Sequence, residues 1–255
     1  MDPKNRSQFL TIPGAIIVAG ALIAIAVIWS NKPGGVVSNP AGGPSPASNG
    51  EPAAIDLSPV TASDHILGNP NADIKIVEYS DPSCPFCKLF DPTMHQLVGE
   101  YGPGGKVAWI YREFPLDQPG TRPDGGVLHP NAGREAEALE CAALVGGNTK
   151  FWAYEKKWYE DVPEDGASRP AADDEAAIVR IAKDTGLDTA AFSDCLSSGK
   201  TKDLVQKDYE SGLNAGVSGT PYSIIITPSG SKVPLVGAQP YATVKAAIDA
   251  LILGN

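Results

Sequence analysis

The chain has 255 residues, 42% of them hydrophobic, and a formal net charge of −10 at pH 7. That is enough apolar material for one sizeable domain. The acidic balance, with no basic run and no aromatic-basic interleaving, gives nucleic acid no footprint and suits an exported domain that must stay soluble.

The first segment is no soluble fold. No charged residue occurs between Arg6 and Lys32, and Leu10 to Trp29 (LTIPGAIIVAGALIAIAVIW) is long enough to span a bilayer, with Phe9 and Trp29 placed as interfacial anchors. Ala24-Ile25-Ala26 satisfies the cleavage pattern of a secretory signal, but Val27-Ile28-Trp29 carries the apolar run past it, which favours a retained anchor. The expected organisation is a cytoplasmic segment at 1–9, a transmembrane helix at 10–30, and a catalytic domain on the extracytoplasmic side, since Lys4 and Arg6 outnumber Lys32. Residues 31–54 are dense in Pro, Gly, Ser and Asn and read as a flexible linker, with a root-mean-square span of about 25–30 Å. The globular domain is expected over 55–255.

Ile74 to Tyr79 (IKIVEY) is predicted as a buried strand, Lys88 to Tyr101 as a helix, and Lys106 to Tyr111 (KVAWIY) as a second strand that ends before Pro115. From about 130 to 216 the pattern turns helical and is punctuated by Gly146-Gly147, Pro163, Pro170, Gly186 and Gly199, so several helices follow one another without a strand. Tyr222 to Thr227 and Lys232 to Val236 form a hairpin about Pro228-Ser229-Gly230-Ser231, and Ala242 to Leu253 is an amphipathic helix. The predicted order is strand, helix, strand, helical block, hairpin, helix. It describes an α/β fold, a small sheet covered by helices with an all-helical insertion.

Cys84-Pro85-Phe86-Cys87 sits at the first strand-to-helix junction. There the first thiol meets the unsatisfied N–H groups and positive dipole end of a helix, which favour its thiolate. Such a pair also opens many zinc knuckles, but a knuckle needs two further ligands at short spacing. His95 is the nearest candidate, and His129, Cys141 and Cys195 are too scattered to form a second half, so the expectation is redox chemistry with no metal. Glu78 stands out at the end of its apolar strand. It reads either as a solvated strand end or as a buried acid under the dithiol with a raised pKa that relays protons. His95 reads as a surface or packing residue, and His129 as a helix-start residue beside Pro130.

With these elements in place the chain resembles the DsbA-like branch of the thioredoxin superfamily. The resemblance is carried by VEYSDPSCPFC (Val77 to Cys87), YREFPL (Tyr111 to Leu116), LHPNA and ALECA (Leu128 to Ala142), GVSGTPYSII (Gly216 to Ile225) and VGAQPYATVKAAID (Val236 to Asp249), in that order. It implies a thioredoxin-like fold, with Cys84 as an exposed nucleophile and Cys87 as the resolving thiol of a mixed-disulfide mechanism. It further implies that Pro221 is the cis-proline facing the dithiol, that Thr220 presents its backbone to an extended substrate, and that Pro85 and Phe86 belong to the same surface. Glu78 falls on the family's buried proton-relay acid. No organic cofactor is implied.

Cys141 and Cys195 both lie in helix-like segments of the insertion. Paired, they close a loop of about 55 residues worth about 4 kcal/mol in the chain-entropy picture. Some relatives have a second pair and others lack one, so two buried free thiols stay the alternative. The expected function is a membrane-tethered, monomeric oxidase that donates disulfides to reduced exported proteins and is regenerated by a membrane oxidase of the DsbB or vitamin K epoxide reductase type. The alternatives are a reductase or isomerase using the same site, since Pro85-Phe86 is not the Pro-His pair of the most oxidising members, or a redox-inert peptide-binding module.

Overall fold

A computed structural model of the chain describes residues 54–163 and 169–254. The expected anchor at 10–30, and the linker at 31–54 save its last residue, lie outside the described residues. Among the described residues no helix is long and apolar enough to cross a membrane.

The elements run β1 (His65–Gly68), β2 (Ile74–Ser80), α1 (Pro85–Tyr101), β3 (Val107–Glu113), α2 (Ala132–Asp161), α3 (Ala171–Asp184), α4 (Thr189–Ser198), α5 (Lys202–Asn214), β4 (Tyr222–Ile226), β5 (Lys232–Val236) and α6 (Tyr241–Leu253). One five-stranded sheet has the order β1-β3-β2-β4-β5. Only β2 and β3 are parallel, joined through α1, and the other neighbours are antiparallel. Strand β1 is absent from the predicted order. It is four residues long and pairs with β3 from the edge, His65 opposite Tyr111, so it is held by ladder bonds rather than by an apolar run of its own.

The two central strands are covered on both faces, which is why they read as nearly continuous apolar runs. Alternation along β2 sends Ile74 and Ile76 into the larger core, with α1 and α2, and Val77 and Tyr79 into a second core on the other face. By the same period Glu78 shares the face of Ile74 and Ile76, the face that carries both cysteines. Strand β3 divides likewise, Trp109 and Tyr111 on the dithiol side and Ala108 and Ile110 opposite. At the other edge β5 is largely exposed and carries Pro234, which suits a strand with an open flank.

The helical block packs over one end of the sheet. Helix α2 breaks direction at Gly147, whose φ of 72° favours glycine. Asp188 caps α4 by accepting from the N–H groups of Ala190 (3.0 Å) and Ala191 (3.1 Å). Cys141 on α2 and Cys195 on α4 are joined in a disulfide with a Cα–Cα separation of 5.8 Å, and both are fully buried. Helix α5 lies close against the sheet through Gly212, where a Cβ would sit 2.5 Å from Cδ2 of Phe114.

Candidate active site

The junction between β2 and α1 is built around Asp81. Its Oδ1 accepts from the Ser83 N–H (2.7 Å), an Asx turn, and its Oδ2 accepts from the Leu116 N–H (2.8 Å) and lies 2.8 Å from His129 Nδ1. The loop is pinned from the insertion as well, by Trp158 Nε1 donating to the Pro82 carbonyl (3.0 Å) and the Tyr159 hydroxyl donating to the Asp81 carbonyl (3.2 Å). Ser83 Oγ donates to Glu135 (2.6 Å), and Arg169 donates to the other oxygen of that carboxylate (2.7 Å).

This framework sets Cys84 at the N-cap of α1 in an extended conformation, with Pro85 in the first turn. A proline there forfeits no hydrogen bond, because the N–H it lacks is one the helix cannot satisfy. Cys87 follows one turn in, and its sulfur accepts from the Asp81 N–H at 3.4 Å. Both residues are free thiols. The Thr220–Pro221 peptide is cis, and the Thr220 carbonyl lies 3.5 Å from Cys84 Sγ. The structure thus brings Cys84, Cys87, Thr220 and Pro221 together although 136 residues separate Cys84 from Thr220. One expectation needs correction. Cys84 is not exposed: it is 4% accessible, because the Thr220 segment closes over it while Phe86 beside it stands 59% exposed.

Three titratable groups differ in direction for separate reasons. The Cys84 thiol is lowered to about 6, chiefly because Cys87 donates a hydrogen bond to its thiolate, against burial, with the Thr220 side chain helping. Burial pushes the Cys87 thiol well above its ordinary value, and its hydrogen bond to Cys84 and the neighbouring charges add to this. Glu78 is 1% exposed, which excludes the solvated strand end, and burial raises it to about 8 against the polarising Ser80 side chain. The arrangement therefore holds a thiolate and a thiol side by side at neutral pH, over an acid that is largely protonated there.

A groove of about 540 Å³ runs from Cys84 past Phe86, Phe114, Leu128, Tyr209, Leu213 and Thr220. Apolar side chains along an open groove beside a nucleophile can hold an extended chain segment through side-chain burial, alongside the Thr220 backbone. A cavity of about 570 Å³ elsewhere is lined by no cysteine, and within it Arg112 pairs with Asp64 at 2.9 Å and His65 with Glu140 at 2.8 Å.

Sequence reasoning missed His129 and the Glu135–Arg169 pair. His129 lines the groove, and although burial pulls its pKa down, the Asp81 carboxylate outweighs that and raises it. The Asp-Pro step at Asp81-Pro82 was a readable turn signal, whereas nothing in the chain announces that Arg169 reaches Glu135. Of its two readings, His95 is the packing residue, edge-on against Trp109 and Trp152, and it is not a zinc ligand alongside the cysteines. It is half-buried and turned toward Asp91 and Glu155, so a zinc knuckle at Cys84 and Cys87 gains no ligand from it, and His129 is committed to Asp81.

The family model Thioredoxin_4, described as thioredoxin, matches residues 61–250. Oxidised BdbD from Bacillus subtilis superposes with a TM-score of 0.63 at 18% identity, over 78% of this chain and 97% of that one. DsbA2 from Pseudomonas aeruginosa gives 0.57 at 24%, over 76% and 97%. At these identities the likeness speaks for the fold. Among curated sequences, Na(+)/H(+) antiporter NhaA 3 of Salinispora tropica is 29% identical over 158 residues, 62% of this chain but 21% of that protein. The chain spans about a fifth of the length of that relative, so the match concerns one part of the antiporter. With a family model matched across most of its length and the DsbA-like fold behind it, the chain belongs to the thioredoxin family.

Proposed function

We propose that this chain is a membrane-tethered thiol:disulfide oxidoreductase that forms disulfides in exported proteins through Cys84 and Cys87. The observation that carries the reading is the Cys84 thiol, held to about 6 by its neighbour at a helix N-terminus. A stabilised thiolate makes a good leaving group and lowers the free energy of the reduced dithiol, so the disulfide form is driven to pass its oxidising equivalents on.

In the oxidised enzyme a substrate thiolate in the groove attacks Cys84 Sγ. The Cys84–Cys87 bond breaks, a mixed disulfide forms on Cys84, and Cys87 leaves with the electron pair and takes up a proton. Glu78, protonated at neutral pH and on the same face of β2, is the group that delivers it. A second substrate thiolate then attacks the substrate sulfur and expels Cys84 as its stabilised thiolate. Two electrons pass from substrate to enzyme. They leave to a membrane oxidase of the DsbB or vitamin K epoxide reductase type, whose access is aided by the anchor at 10–30 and the linker at 31–54. Thr220, Pro85 and Phe86 form the substrate-facing surface, with the buried Pro221 fixing the cis turn behind Thr220, and Cys141–Cys195 is the structural bond of the insertion.

The test is the equilibrium reduction potential of the Cys84/Cys87 pair in the full chain, alongside oxidation of a reduced model substrate by Cys84→Ser. A potential near about −120 mV with turnover abolished in the variant supports the oxidase. A potential near about −270 mV makes the chain a tethered reductant, and turnover that survives the substitution removes the catalytic assignment. Membrane sedimentation that persists after deletion of residues 1–30 would remove the tether.

A further inference from the structure

On the active-site helix, a second cluster lies apart from the two cysteines, although its Asp91 charge adds to the upward shift that burial gives Glu78. Asp91 and His95 stand one turn apart on α1, and Glu155 reaches them from α2. His95 Nε2 lies 3.2 Å from Asp91 Oδ1 and 3.3 Å from Glu155 Oε2. One ring nitrogen carries at most one proton, so it cannot donate to both carboxylates. Nε2 hydrogen-bonds Glu155 Oε2, Asp91 Oδ1 keeps only the 3.2 Å contact, and the second Glu155 oxygen, Oε1, is buried with no hydrogen-bond partner among the described residues. The Glu155 side chain is wholly buried, that of Asp91 92% buried, and that of His95 21% exposed. Without a metal the cluster is held by protons: burial pulls His95 down but the two carboxylates raise it to about 10, and burial pushes Glu155 up. One buried carboxylate oxygen still goes unmet, which a cation in place of those protons would satisfy.

We propose that Asp91, His95 and Glu155 bind one divalent first-row transition-metal ion, which ties the active-site helix to the helical insertion. The spacing fits. Donors on one tetrahedral zinc at 2.0–2.2 Å lie about 3.3–3.6 Å from one another, close to both measured separations, and all three ligand atoms fall within 4.8 Å of one another. A neutral imidazole with two carboxylates balances a divalent charge, and the ion replaces the protons that the three groups otherwise hold. One borderline nitrogen with two hard oxygens suits Zn(II), Co(II) or Mn(II), whereas Ca(II) takes six to eight oxygens and Cu(I) prefers sulfur. The partly exposed edge of His95 is the entry path, and a fourth position stays free for water. His95 is packed edge-on against Trp109 and Trp152, with ring centroids 5.2 and 6.2 Å away, so two indoles sit beside the ion.

The experiment titrates Co(II), then Zn(II), into the full chain with Cys84 and Cys87 oxidised, so that no thiolate competes. The readouts are visible absorption and tryptophan fluorescence. The expected result is one equivalent of Co(II) giving d–d bands without a sulfur charge-transfer band, saturable quenching of fluorescence, and displacement by Zn(II). His95→Gln and Glu155→Gln should each weaken binding by at least about a hundredfold, more than loss of an outer-sphere partner costs. Absence of saturable binding in the unsubstituted chain overturns the proposal without recourse to any variant, and leaves the cluster a proton-sharing ion pair. Binding undiminished in a folded His95→Gln chain overturns it equally.

Discussion

Cys84 and Glu78 place the chemistry at two atoms with opposite electrostatic needs. A thiol lowered to about 6 should react with iodoacetamide at a rate that rises through pH 6 and is level by pH 8, whereas an ordinary thiol is still climbing there. A stopped alkylation series read by mass would show it, and a midpoint near pH 8.5 would contradict the assigned electrostatics. Glu78, raised to about 8 by burial, is neutral through most of the working range and can give up a proton. Glu78→Gln keeps the shape and removes the proton, so resolution of the mixed disulfide should slow by about tenfold to a hundredfold, near the low end of general acid catalysis. The potential should move little, and a large change in potential with an unchanged rate would assign Glu78 a purely electrostatic part.

At the scale of elements, the contacts that place the dithiol come from outside its own helix. Trp158 and Tyr159 of α2 hold the carbonyls before Cys84, and the Cys141–Cys195 bond ties α2 to α4. Replacing both bonded cysteines by alanine should cost about 2–5 kcal/mol in denaturant unfolding, the usual loss for a native disulfide in a small exported domain. Helix α5 offers a sharper test of packing. A methyl at Gly212 meets Phe114 at 2.5 Å and Tyr79 at 3.0 Å, so Gly212→Ala should destabilise by about 1–3 kcal/mol although alanine is the better helix former. A neutral or stabilising result would show that α5 can slide away from the sheet.

For the molecule as a whole, the redox state is linked to stability through pH. The folded Cys84 pKa lies below its ordinary 9.0, so its contribution is fully present above that value and is lost as pH falls through about 6. Cys87 shifts upward and titrates above this window. The reduced protein should therefore gain on the oxidised one by about 3 kcal/mol between pH 5 and pH 8. Paired thermal or urea unfolding of the two forms would measure it. A gap that does not widen with pH would break the link between the Cys84 thiolate and an oxidising potential.

Local chemistry carried most of what the chain disclosed unaided. A Cys-Pro-Phe-Cys step between an apolar run and a helical one, the order of the remaining runs, and the Gly and Pro punctuation of the insertion depend on neighbours in sequence, and the fold class followed from them. Tertiary structure decided whatever depends on distant groups meeting. Strand β1 exists because β3 offers it a ladder, and Cys84 is covered because the Thr220 segment folds across it. His129 belongs to the groove because Asp81 holds it there. Glu78 was ambiguous in sequence because a carboxylate at a strand end is solvated or buried according to what packs on that face. The cluster of Asp91, His95 and Glu155 was invisible for the same reason: two of its members are one helical turn apart, but the third arrives from another helix, and only burial turns three ordinary polar residues into a site.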